Sequence, residues 1–450
     1  MDVFSIPIED KFLLYAPWNS FLAFVNQPAA KEVQRNLLNT KSNSEFVKTL
    51  RAPCDILPSP NEGALNPLFL GIIPTRDCNA NCRYCDFVAP KPNNPVMNLS
   101  LARDAINDYL LLRKASGETR AEVHFFGGEP FYAEDVVIFS VDYATLRAEE
   151  LGLQVRFEVT TNGVYRPSLS KWIAEHIDSV VLSLDGPRDI QDTQRPTRNG
   201  KSGFNLVFNT AKQISQGDAE LILRACITQQ TVNRMEEIAQ WFRDEFCPSS
   251  VCFETMTPSD QSVKAKLEPP DPWEFAENFY RASQYLADYG IEAKYAAAEI
   301  GACRVSFCPL GKDALIISPD GAIDACYLLR ERWEKKGLDL RLGQMDNGKI
   351  NIYPDVITHV RSLNVDRRPL CANCFCRYHC AGGCYVNNDT NAPPGYFNSL
   401  CIQTRLITIT NLLKRLGQGV LISNWLANRS AMEASIWSKS DRLSDQDLTL

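Results

Sequence analysis

The chain has 450 residues, of which 45% are hydrophobic and 22% charged, a balance typical of a globular protein rather than a disordered one. Its formal net charge of −7 gives no general electrostatic attraction to nucleic acid or to anionic membranes. No uncharged apolar run reaches about 18 residues, and the N-terminus, MDVFSIPIEDKF, carries acids where a secretory signal is basic. We therefore expect a cytoplasmic protein that binds neither nucleic acid nor a membrane.

Residues 1–66 are predicted to form an N-terminal extension. An apolar segment, FLLYAPWNSFLAFVN, precedes a predicted helix through AKEVQRNLL. A stretch rich in Pro, Ser and Asn, LPSPNEGALNP, follows and is typical of a loop. We therefore expect a small unit and a linker ahead of the main domain.

Residues 67–260 alternate short β-rich runs with helix-patterned stretches, which predicts an α/β fold with a parallel sheet and crossover helices. Helices are predicted through SLARDAINDYLLLRKA, which stops at Gly117, and through NRMEEIAQWFRDEF, which stops at Cys247-Pro248. Six repeats are too few for the eight of a closed barrel, so we predict an open, partial (β/α)6 barrel of the TIM type. The six runs begin at Leu68, Ala121, Leu153, Ser179, Glu220 and Ser250.

The rest of the chain divides into three further predicted segments. Residues 261–302 contain a bridging helix that begins at Asp271-Pro272, because an Asp cap followed by Pro at the first helical position is an N-terminal signal. Residues 303–402 lose this periodicity and are rich in Cys, Gly and Pro. Residues 403–450 hold a predicted helix, LITITNLLKRLG, and a polar tail, SDRLSDQDLTL, which we expect to be frayed.

The 16 cysteines are unevenly distributed along the chain. Three lie at positions 78–85, eight lie between Cys303 and Cys401, and five stand apart, Cys376 among them. In a reducing compartment, clustered cysteines more often bind metal than form disulfides. The isolated Cys54, Cys226, Cys247 and Cys252 are predicted to be core residues, because free cysteine is often buried.

The first group follows the spacing C-x3-C-x2-C, with Cys78, Cys82 and Cys85 just after the first predicted strand. Soft sulfur ligands select zinc or iron–sulfur clusters. A structural zinc site needs a fourth ligand, and the nearest histidine, His124, lies inside the second predicted strand. Three thiolates without a fourth favour a four-iron cluster that leaves one iron open to a small molecule; a zinc loop is the alternative.

This spacing resembles that of the radical SAM superfamily. The resemblance implies that the open iron binds S-adenosylmethionine (SAM), that SAM is cleaved to a 5′-deoxyadenosyl radical, and that this radical abstracts a hydrogen atom. Tyr84, between the last two cysteines, matches the aromatic residue that packs on the adenine in this family.

Further motifs lie at the ends of successive predicted strands, where parallel α/β folds bind ligands. Gly127-Gly128-Glu129-Pro130 resembles the GGEP motif of the family, which implies that its backbone and Glu129 hold the methionine ammonium. Thr160-Thr161-Asn162-Gly163 and Ser183-Leu184-Asp185-Gly186-Pro187 resemble motifs of its peptide-modifying branch. By this resemblance the SAM contacts also include Asn162, Ser183, Arg195 and Met256, with Ser183 and Arg195 on the carboxylate or ribose and Met256 near the adenine.

The second cysteine group resembles a SPASM domain, with Cys308 and Cys326 followed by C-x2-C-x5-C-x3-C and a last cysteine. The resemblance implies two auxiliary [4Fe–4S] clusters, and thus three clusters in all. It assigns Cys303, Cys308, Cys326 and Cys384 to the first auxiliary cluster and Cys371, Cys374, Cys380 and Cys401 to the second. A pair of four-thiolate zinc sites is the alternative. Cys376 departs from the pattern and is either a buried spare thiol or a competing ligand.

The combined resemblance implies an oxidoreductase that acts on a peptide or protein, supplied with electrons by a reductant such as flavodoxin or ferredoxin. Sulfatase-maturating relatives carry an Asp base directly after the third cysteine of the auxiliary group; here the candidate catalytic residue at that position is Tyr327. Because a phenol has an ordinary pKa near 10, it is a poor base at neutral pH. We therefore favour a maturase of ribosomally made precursor peptides that abstracts hydrogen from a side-chain carbon, giving an oxidative modification or cross-link.

Two alternatives remain for the function. One is an anaerobic sulfatase-maturating enzyme that makes formylglycine. The other is a non-enzymatic iron–sulfur electron carrier. The N-terminal extension is a candidate for recognition of the precursor peptide, because peptides often bind by adding a strand to a sheet edge. It is equally consistent with a unit that only caps the barrel.

Overall fold

The structure is a computed structural model that describes residues 2–39, 41–42, 44–51, 62–63, 65–87, 94–301, 303–308, 310, 313–389, 391–393, 395–437, 441–446 and 448. Cys54 and most of the predicted linker lie outside these ranges. No helix in the described part of the chain is both long enough and apolar enough to cross a membrane.

The N-terminal unit is a small antiparallel sheet followed by helices. Its strands are β1 (Phe4–Ile8), β2 (Lys11–Ala16) and β3 (Phe21–Asn26), in the order β1-β2-β3. Helix α1 (Gln27–Leu38) confirms the helix predicted here, and Asn26 caps it by accepting a hydrogen bond from the Ala29 N–H. Helix α2 (Glu45–Arg51) follows.

The main sheet has eleven strands among the described residues, in the order β10-β9-β8-β7-β6-β5-β4-β11-β12-β13-β14. Strands β4 to β9 are parallel and confirm the six predicted runs, while β10 and β11 add a parallel neighbour at each side. Strands β11 to β14 are antiparallel, so the sheet continues into the cysteine-rich region. The bounds are β4 (Leu70–Ile72), β5 (Arg120–Phe125), β6 (Gln154–Thr161), β7 (Ser179–Ser183), β8 (Glu220–Ile227), β9 (Ser250–Thr255), β10 (Glu292–Lys294), β11 (Leu315–Ile317), β12 (Ala322–Asp324), β13 (Arg341–Asp346) and β14 (Lys349–Ile352).

Helices cover the outer face of the parallel strands. The remaining helices are α3 (Leu99–Ala115), α4 (Glu134–Leu151), α5 (Pro167–His176), α6 (Arg188–Gln194), α7 (Phe204–Ser215), α8 (Met235–Phe246), α9 (Asp260–Lys264), α10 (Pro272–Ala287), α11 (Arg330–Glu334), α12 (Pro354–Arg361), α13 (Arg377–Cys380), α14 (Ser399–Arg415), α15 (Gly419–Leu426) and α16 (Arg429–Ile436). Helices α3, α8 and α10 confirm the helices predicted at these positions. Asp271 caps α10 by accepting hydrogen bonds from the N–H groups of Trp273 and Glu274.

Strand β8 shows how the sequence separates the two faces of this sheet. Its residues alternate in burial: Leu221, Leu223, Ala225 and Ile227 belong to the core. The intervening positions include Arg224 and Cys226, which line a cavity on the other face. The period of two therefore places apolar side chains under the helices and polar or reactive ones inside the barrel.

The C-terminal tail packs against the N-terminal unit, so the expectation that it is frayed is wrong for residues 441–446 and 448. Asp441 and Leu443 are buried. The Asp441 carbonyl accepts from the Ser5 N–H at 2.8 Å, and the Leu443 N–H donates to the Val3 carbonyl at 2.8 Å. These bonds cover the outer edge of β1 and join the C-terminal tail to the N-terminal unit.

The prediction that the isolated cysteines are core residues is wrong for Cys247. It ends α8 in the left-handed conformation, with φ at 46°, and its side chain is exposed. Cys226 and Cys252 are half-buried, since they lie on the inner face of β8 and β9. Cys376, in contrast, is a buried thiol.

Candidate active site

A cavity of about 500 Å³ lies at the carboxyl ends of the parallel strands. Residues at the ends of β5, β6, β7, β8 and β9 line it, as do residues of the cysteine-rich region, so the sheet curves around it. Of the residues predicted from the sequence, its wall contains Cys78, Cys82, Tyr84, Cys85, Gly127, Gly128, Asn162, Ser183, Arg195, Cys308, Cys326, Tyr327, Cys380 and Cys384. The structure thus brings together most of the predicted site.

The loop after β4 presents the first three thiols to this cavity. Cys78 and Cys82 are buried and Cys85 is half-buried. Asn162 fixes the loop, because its Nδ2 donates to Asn79 Oδ1 at 2.8 Å and lies 3.5 Å from Cys78 Sγ. The predicted cofactor residue Asn162 therefore also holds the cysteine loop in place.

A buried carboxylate, Asp185, organises the opposite wall. Its Oδ1 accepts from Arg195 Nε at 2.9 Å and from the Cys226 N–H at 3.0 Å. Its Oδ2 accepts from the Tyr84 hydroxyl and from Gln194 Nε2, the latter at 2.7 Å. Because Asp185 is fully buried, this set of donors offsets the cost of taking its charge out of water. It fixes two predicted SAM contacts, Tyr84 and Arg195, relative to each other.

Arg195 also places positive charge beside the thiol loop. Its Nη1 lies 3.7 Å from Cys82 Sγ, and its guanidinium lies 5.3 Å from the centre of the Tyr84 ring. Burial raises the pKa of the Cys82 thiol to about 12, and Arg195 opposes that rise. Since metal binding requires thiolates, loading this loop with iron releases protons.

The GGEP segment packs directly on the cysteine loop. A Cβ atom on Gly128 would lie 2.1 Å from the Asp77 carbonyl oxygen, so only glycine allows this approach. Glu129 is fully buried and does not face the cavity. Its carboxylate accepts hydrogen bonds from the Phe131 N–H, the Thr161 hydroxyl and the Asn162 N–H. Glu129 therefore positions Asn162, and its role as holder of the SAM ammonium stays a prediction.

The buried Glu129 makes the stability of the cofactor-free protein depend on pH. Burial raises its pKa from 4.5 to about 7, so folding favours the neutral carboxyl. This contribution is complete at low pH and is lost as the pH rises through the folded-state pKa. We expect Glu129→Gln to remove this pH dependence. Between about pH 5.5 and about pH 8, the wild type should therefore lose about 2 kcal/mol of unfolding free energy relative to the variant. Urea unfolding of both proteins across this range measures the difference; a constant difference would contradict the prediction.

Two other predicted SAM contacts differ in their placement. Ser183, at the end of β7, lines the cavity. Met256 is buried, and the described residues that line the cavity beside it are Thr255 and Thr257. The proposed contact of Met256 with the adenine stays a prediction.

Cys308, Cys326 and Cys384 line the far side of the same cavity. Burial raises the pKa of Cys326 to about 12, and the neighbouring Cys308 and Cys384 thiols add to the rise. Cys303 is placed differently, since its Sγ lies 3.7 Å from the Pro17 carbonyl oxygen and it is not in the wall of this cavity. The structure thus groups three of the four thiols predicted for the first auxiliary cluster.

A second, smaller cavity is lined by all four thiols predicted for the second auxiliary cluster, Cys371, Cys374, Cys380 and Cys401, and by Cys376. Burial raises the pKa of Cys380 to about 12, and Cys401 and Cys374 add to it. Cys374 is the exception, because a hydrogen bond with the Cys376 thiol and the nearby Arg405 charge lower its pKa. Cys376 therefore lies among the predicted ligands as a fifth thiol.

The donor chemistry of the three sets fits iron–sulfur clusters. Within the described residues, no three histidine, cysteine, aspartate or glutamate side chains form the ligand set of a single metal ion. The thiols instead line the walls of cavities, where all-sulfur ligands suit clusters of several irons. The choice between iron–sulfur clusters and zinc stays a prediction for all three sets.

Tyr327 projects into the barrel above β4. Its hydroxyl is buried and has no hydrogen-bond partner among the described residues. A Cβ atom on Gly71 would lie 2.4 Å from that hydroxyl, so the small residue on β4 makes room for the phenol. Burial raises the pKa of Tyr327 further above its ordinary value, which argues against a role as a base.

The unpartnered hydroxyl leads to a stability prediction. We expect Tyr327→Phe to stabilise the protein by about 1 kcal/mol, because it removes a buried polar group that makes no hydrogen bond. The matched control is Tyr109→Phe, where the buried hydroxyl accepts from the Glu122 N–H at 3.1 Å. That change should destabilise by about 1 kcal/mol. Urea unfolding of both variants tests the opposite signs, and loss of stability in Tyr327→Phe would contradict the prediction.

Sequence reasoning missed Asp185 and Asn79 as parts of the site, and Arg405 beside the second thiol cavity. Asp185 lies inside a quoted motif, but an Asp before Gly-Pro is equally typical of a turn. Arg405 lies in the middle of α14, where no pattern marks a charged residue as buried. Their roles depend on contacts between residues far apart in sequence.

Comparisons with known proteins show what the chain is similar to. Residues 72–252 match the model of the Radical SAM superfamily. A cysteine-type anaerobic sulfatase-maturating enzyme of Clostridium novyi (strain NT) is 23% identical over 343 residues, which cover 71% of this chain and 88% of that enzyme. Native anSMEcpe with bound AdoMet and Cp18Cys peptide has a similar fold, with a TM-score of 0.59 at 17% identity over 79% of this chain and 99% of its own. Streptococcus suis SuiB bound to S-adenosylmethionine has a TM-score of 0.51 at 17% identity, over 86% and 95%.

Proposed function

We propose that the chain, whose residues 72–252 match the Radical SAM superfamily, is an oxidoreductase that modifies an apolar side chain of a ribosomally synthesised precursor peptide. The observation that carries this proposal is a single cavity whose walls hold the C-x3-C-x2-C thiols at one side and Cys308, Cys326 and Cys384 at the other. A substrate between two such sets lies within reach of both a radical source and an electron acceptor.

The residues of the chain have distinct tasks in this proposal. Cys78, Cys82 and Cys85 would hold a [4Fe–4S] cluster, which with SAM supplies the 5′-deoxyadenosyl radical. Asp185 orients Tyr84 and Arg195 toward the SAM side of the cavity. A substrate that fills the cavity would exclude water from it, which protects a reactive intermediate from side reactions.

The wall between the two thiol sets is aromatic. The Phe87 and Phe126 rings lie 4.8 Å apart, and the Phe126 and Tyr327 rings also lie 4.8 Å apart. They connect the loop after Cys85 to the residue after Cys326. An apolar or aromatic target side chain would pack on these rings without leaving a polar group unpaired.

Each of the two carboxylates that line the cavity lies beside an arginine. Asp86 forms an ion pair with Arg332 at 2.8 Å, and Glu254 lies 3.9 Å from Arg224. Tyr327 replaces the Asp that formylglycine formation would use. These features favour another oxidative modification or a cross-link over formylglycine formation, although relatives of the sulfatase-maturating class support the latter as the second candidate.

The N-terminal sheet supplies a docking edge for the precursor peptide in this proposal. The tail around Asp441 covers the edge of β1, whereas β3 pairs only with β2 among the described strands. An added strand on β3 would satisfy its outward N–H and C=O groups. A small electron carrier such as flavodoxin or ferredoxin would reduce the enzyme.

Incubation of the iron-reconstituted protein with dithionite, SAM and peptides tests the proposal. One set of peptides carries a sulfatase-type Cys or Ser, and the other comprises short peptides encoded beside the gene. We expect 5′-deoxyadenosine together with a peptide of the second set that has lost hydrogen atoms and kept every heavy atom. Formylglycine in the first set would support the sulfatase-maturating alternative. Iron incorporation without 5′-deoxyadenosine would support the electron carrier.

A further inference from the structure

A buried ion pair lies against the second thiol cavity. Arg405 on α14 and Asp441 in the tail are 1% and 3% exposed, and their contact is bidentate, with Nη1 to Oδ2 at 2.6 Å and Nη2 to Oδ1 at 3.0 Å. Arg405 Nη1 also lies 3.1 Å from Cys374 Sγ. The guanidinium thus donates to a predicted cluster ligand and to a carboxylate at the same time.

The surroundings hold this arrangement rigidly. The Phe375 and Phe397 rings lie 4.2 Å and 4.1 Å from the Arg405 guanidinium. Asp441 Oδ2 also accepts from the Phe375 N–H at 3.0 Å. Since a buried pair is weak evidence for stability, its presence beside a thiol suggests another purpose.

We propose that Arg405 is a positioning residue that raises the reduction potential of the cluster held by Cys371, Cys374, Cys380 and Cys401. The negative charge of Asp441 makes that rise in potential smaller. The inference rests on the cluster content of the proposed function. Uptake of one electron makes the cluster more negative, and no bond forms or breaks. A positive charge and an N–H···S hydrogen bond stabilise that reduced state more than the oxidised one, and an anion has the opposite effect.

The position of this cluster and the positive charge beside it together predict the direction of electron transfer. The thiols of the second set line their own cavity, and only Cys380 also lines the large one. A raised potential makes the second auxiliary cluster a favourable acceptor for an electron that leaves the substrate side. Arg405 therefore directs electron flow outward, away from the radical site.

Redox titration measures this effect without any peptide substrate. The protein used is the full chain with Cys78, Cys82 and Cys85 replaced by alanine, so that only the auxiliary clusters remain. Dithionite and mediators set the potential, and electron paramagnetic resonance follows the reduced clusters. We expect Arg405→Gln to shift one transition to lower potential and Asp441→Asn to shift the same transition to higher potential, while the other transition stays in place as an internal control.

Three further variants keep the test decisive. Arg415→Gln removes the same charge from the same helix, where the guanidinium donates to the Ile300 carbonyl, and should shift neither transition. Arg405→Lys keeps the positive charge but cannot form the two parallel hydrogen bonds of a guanidinium. It should lower the potential of the transition by less than Arg405→Gln does. If Arg405→Gln loses iron, Arg405→Met with Asp441→Leu replaces the pair by apolar side chains that the core can accommodate.

The outcomes separate this inference from the proposed function. Absence of any [4Fe–4S] signal in the triple-alanine protein would mean that the proposed auxiliary clusters are wrong. Two intact transitions that Arg405→Gln and Arg405→Lys leave unchanged would overturn the inference alone. So would equal shifts of both transitions, or a downward shift in Asp441→Asn.

Discussion

Replacing Cys78, Cys82 and Cys85 together with alanine is expected to reduce the release of 5′-deoxyadenosine from SAM to the level of a protein-free blank. The three thiols are the predicted sulfur ligands in the cavity wall, and without them we expect no iron to bind beside Tyr84 and Arg195. The fold should persist, because each lost thiol costs about 1 kcal/mol of packing and none pairs in a disulfide. Chromatography of the nucleoside and iron analysis measure the two effects.

Cys226→Ala is the matched control for this experiment. Its thiol also lines the cavity and its backbone N–H donates to Asp185, but it lies on β8, outside the cysteine loop. The variant should keep its iron and its SAM cleavage. SAM cleavage that survives the triple substitution would contradict the assignment of the radical site, as would its loss in Cys226→Ala.

The parallel part of the fold was accessible from the sequence because its strands are short apolar runs closed by turn residues. Once a parallel sheet is inferred, the ends of all its strands must lie at one edge. This is why GGEP after β5, Asn162 after β6 and Ser183 at the end of β7 could be placed together from the sequence alone. The helices between them carry clear end signals, such as the Asp271 cap of α10.

The rest of the fold depends on pairing between distant segments. Strand β11 joins β4 although some 240 residues separate them, and each has only three residues, too few for a clear period. The polar tail resembles a frayed end in composition. Its residues Asp441 and Leu443 are buried because Asp441 pairs with Arg405 and because the Leu443 N–H donates to the Val3 carbonyl, and neither contact leaves a local pattern.

In the candidate site, too, residues within local motifs were predictable, whereas residues that act through distant contacts were not. The resemblance to the radical SAM and SPASM patterns assigned the thiols to sets, and the structure groups ten of the eleven predicted ligands on two cavities. Cys303 is the exception, since it lies beside Pro17 of the N-terminal unit. Asp185 was not predicted, because a residue that acts by orienting others is recognised only when its partners are known.

Asp185→Asn is expected to have the largest effect on stability of any single change considered. The carboxylate accepts four hydrogen bonds in a fully buried position, and one of them comes from the charged Arg195. The amide nitrogen of asparagine would face donors, and Arg195 would remain buried with its charge unpaired. Breaking a buried pair in this way costs about 3–5 kcal/mol. Urea unfolding of the cofactor-free protein measures that loss, and calorimetry of SAM binding to the reconstituted protein should show weaker affinity, because Tyr84 and Arg195 lose their common anchor.

Asp189→Asn is the control, since it makes the same chemical change four residues away. Asp189 pairs with Arg234 at 2.5 Å, but its side chain is 63% exposed, and exposed pairs contribute about 0–1 kcal/mol. This variant should unfold and bind SAM much as the wild type does. Equal effects of the two substitutions would mean that the hydrogen bonds of Asp185 stabilise the protein no more than a surface ion pair does. If Asp185→Asn loses stability but keeps full SAM affinity, then Asp185 supports the fold without positioning the cofactor contacts.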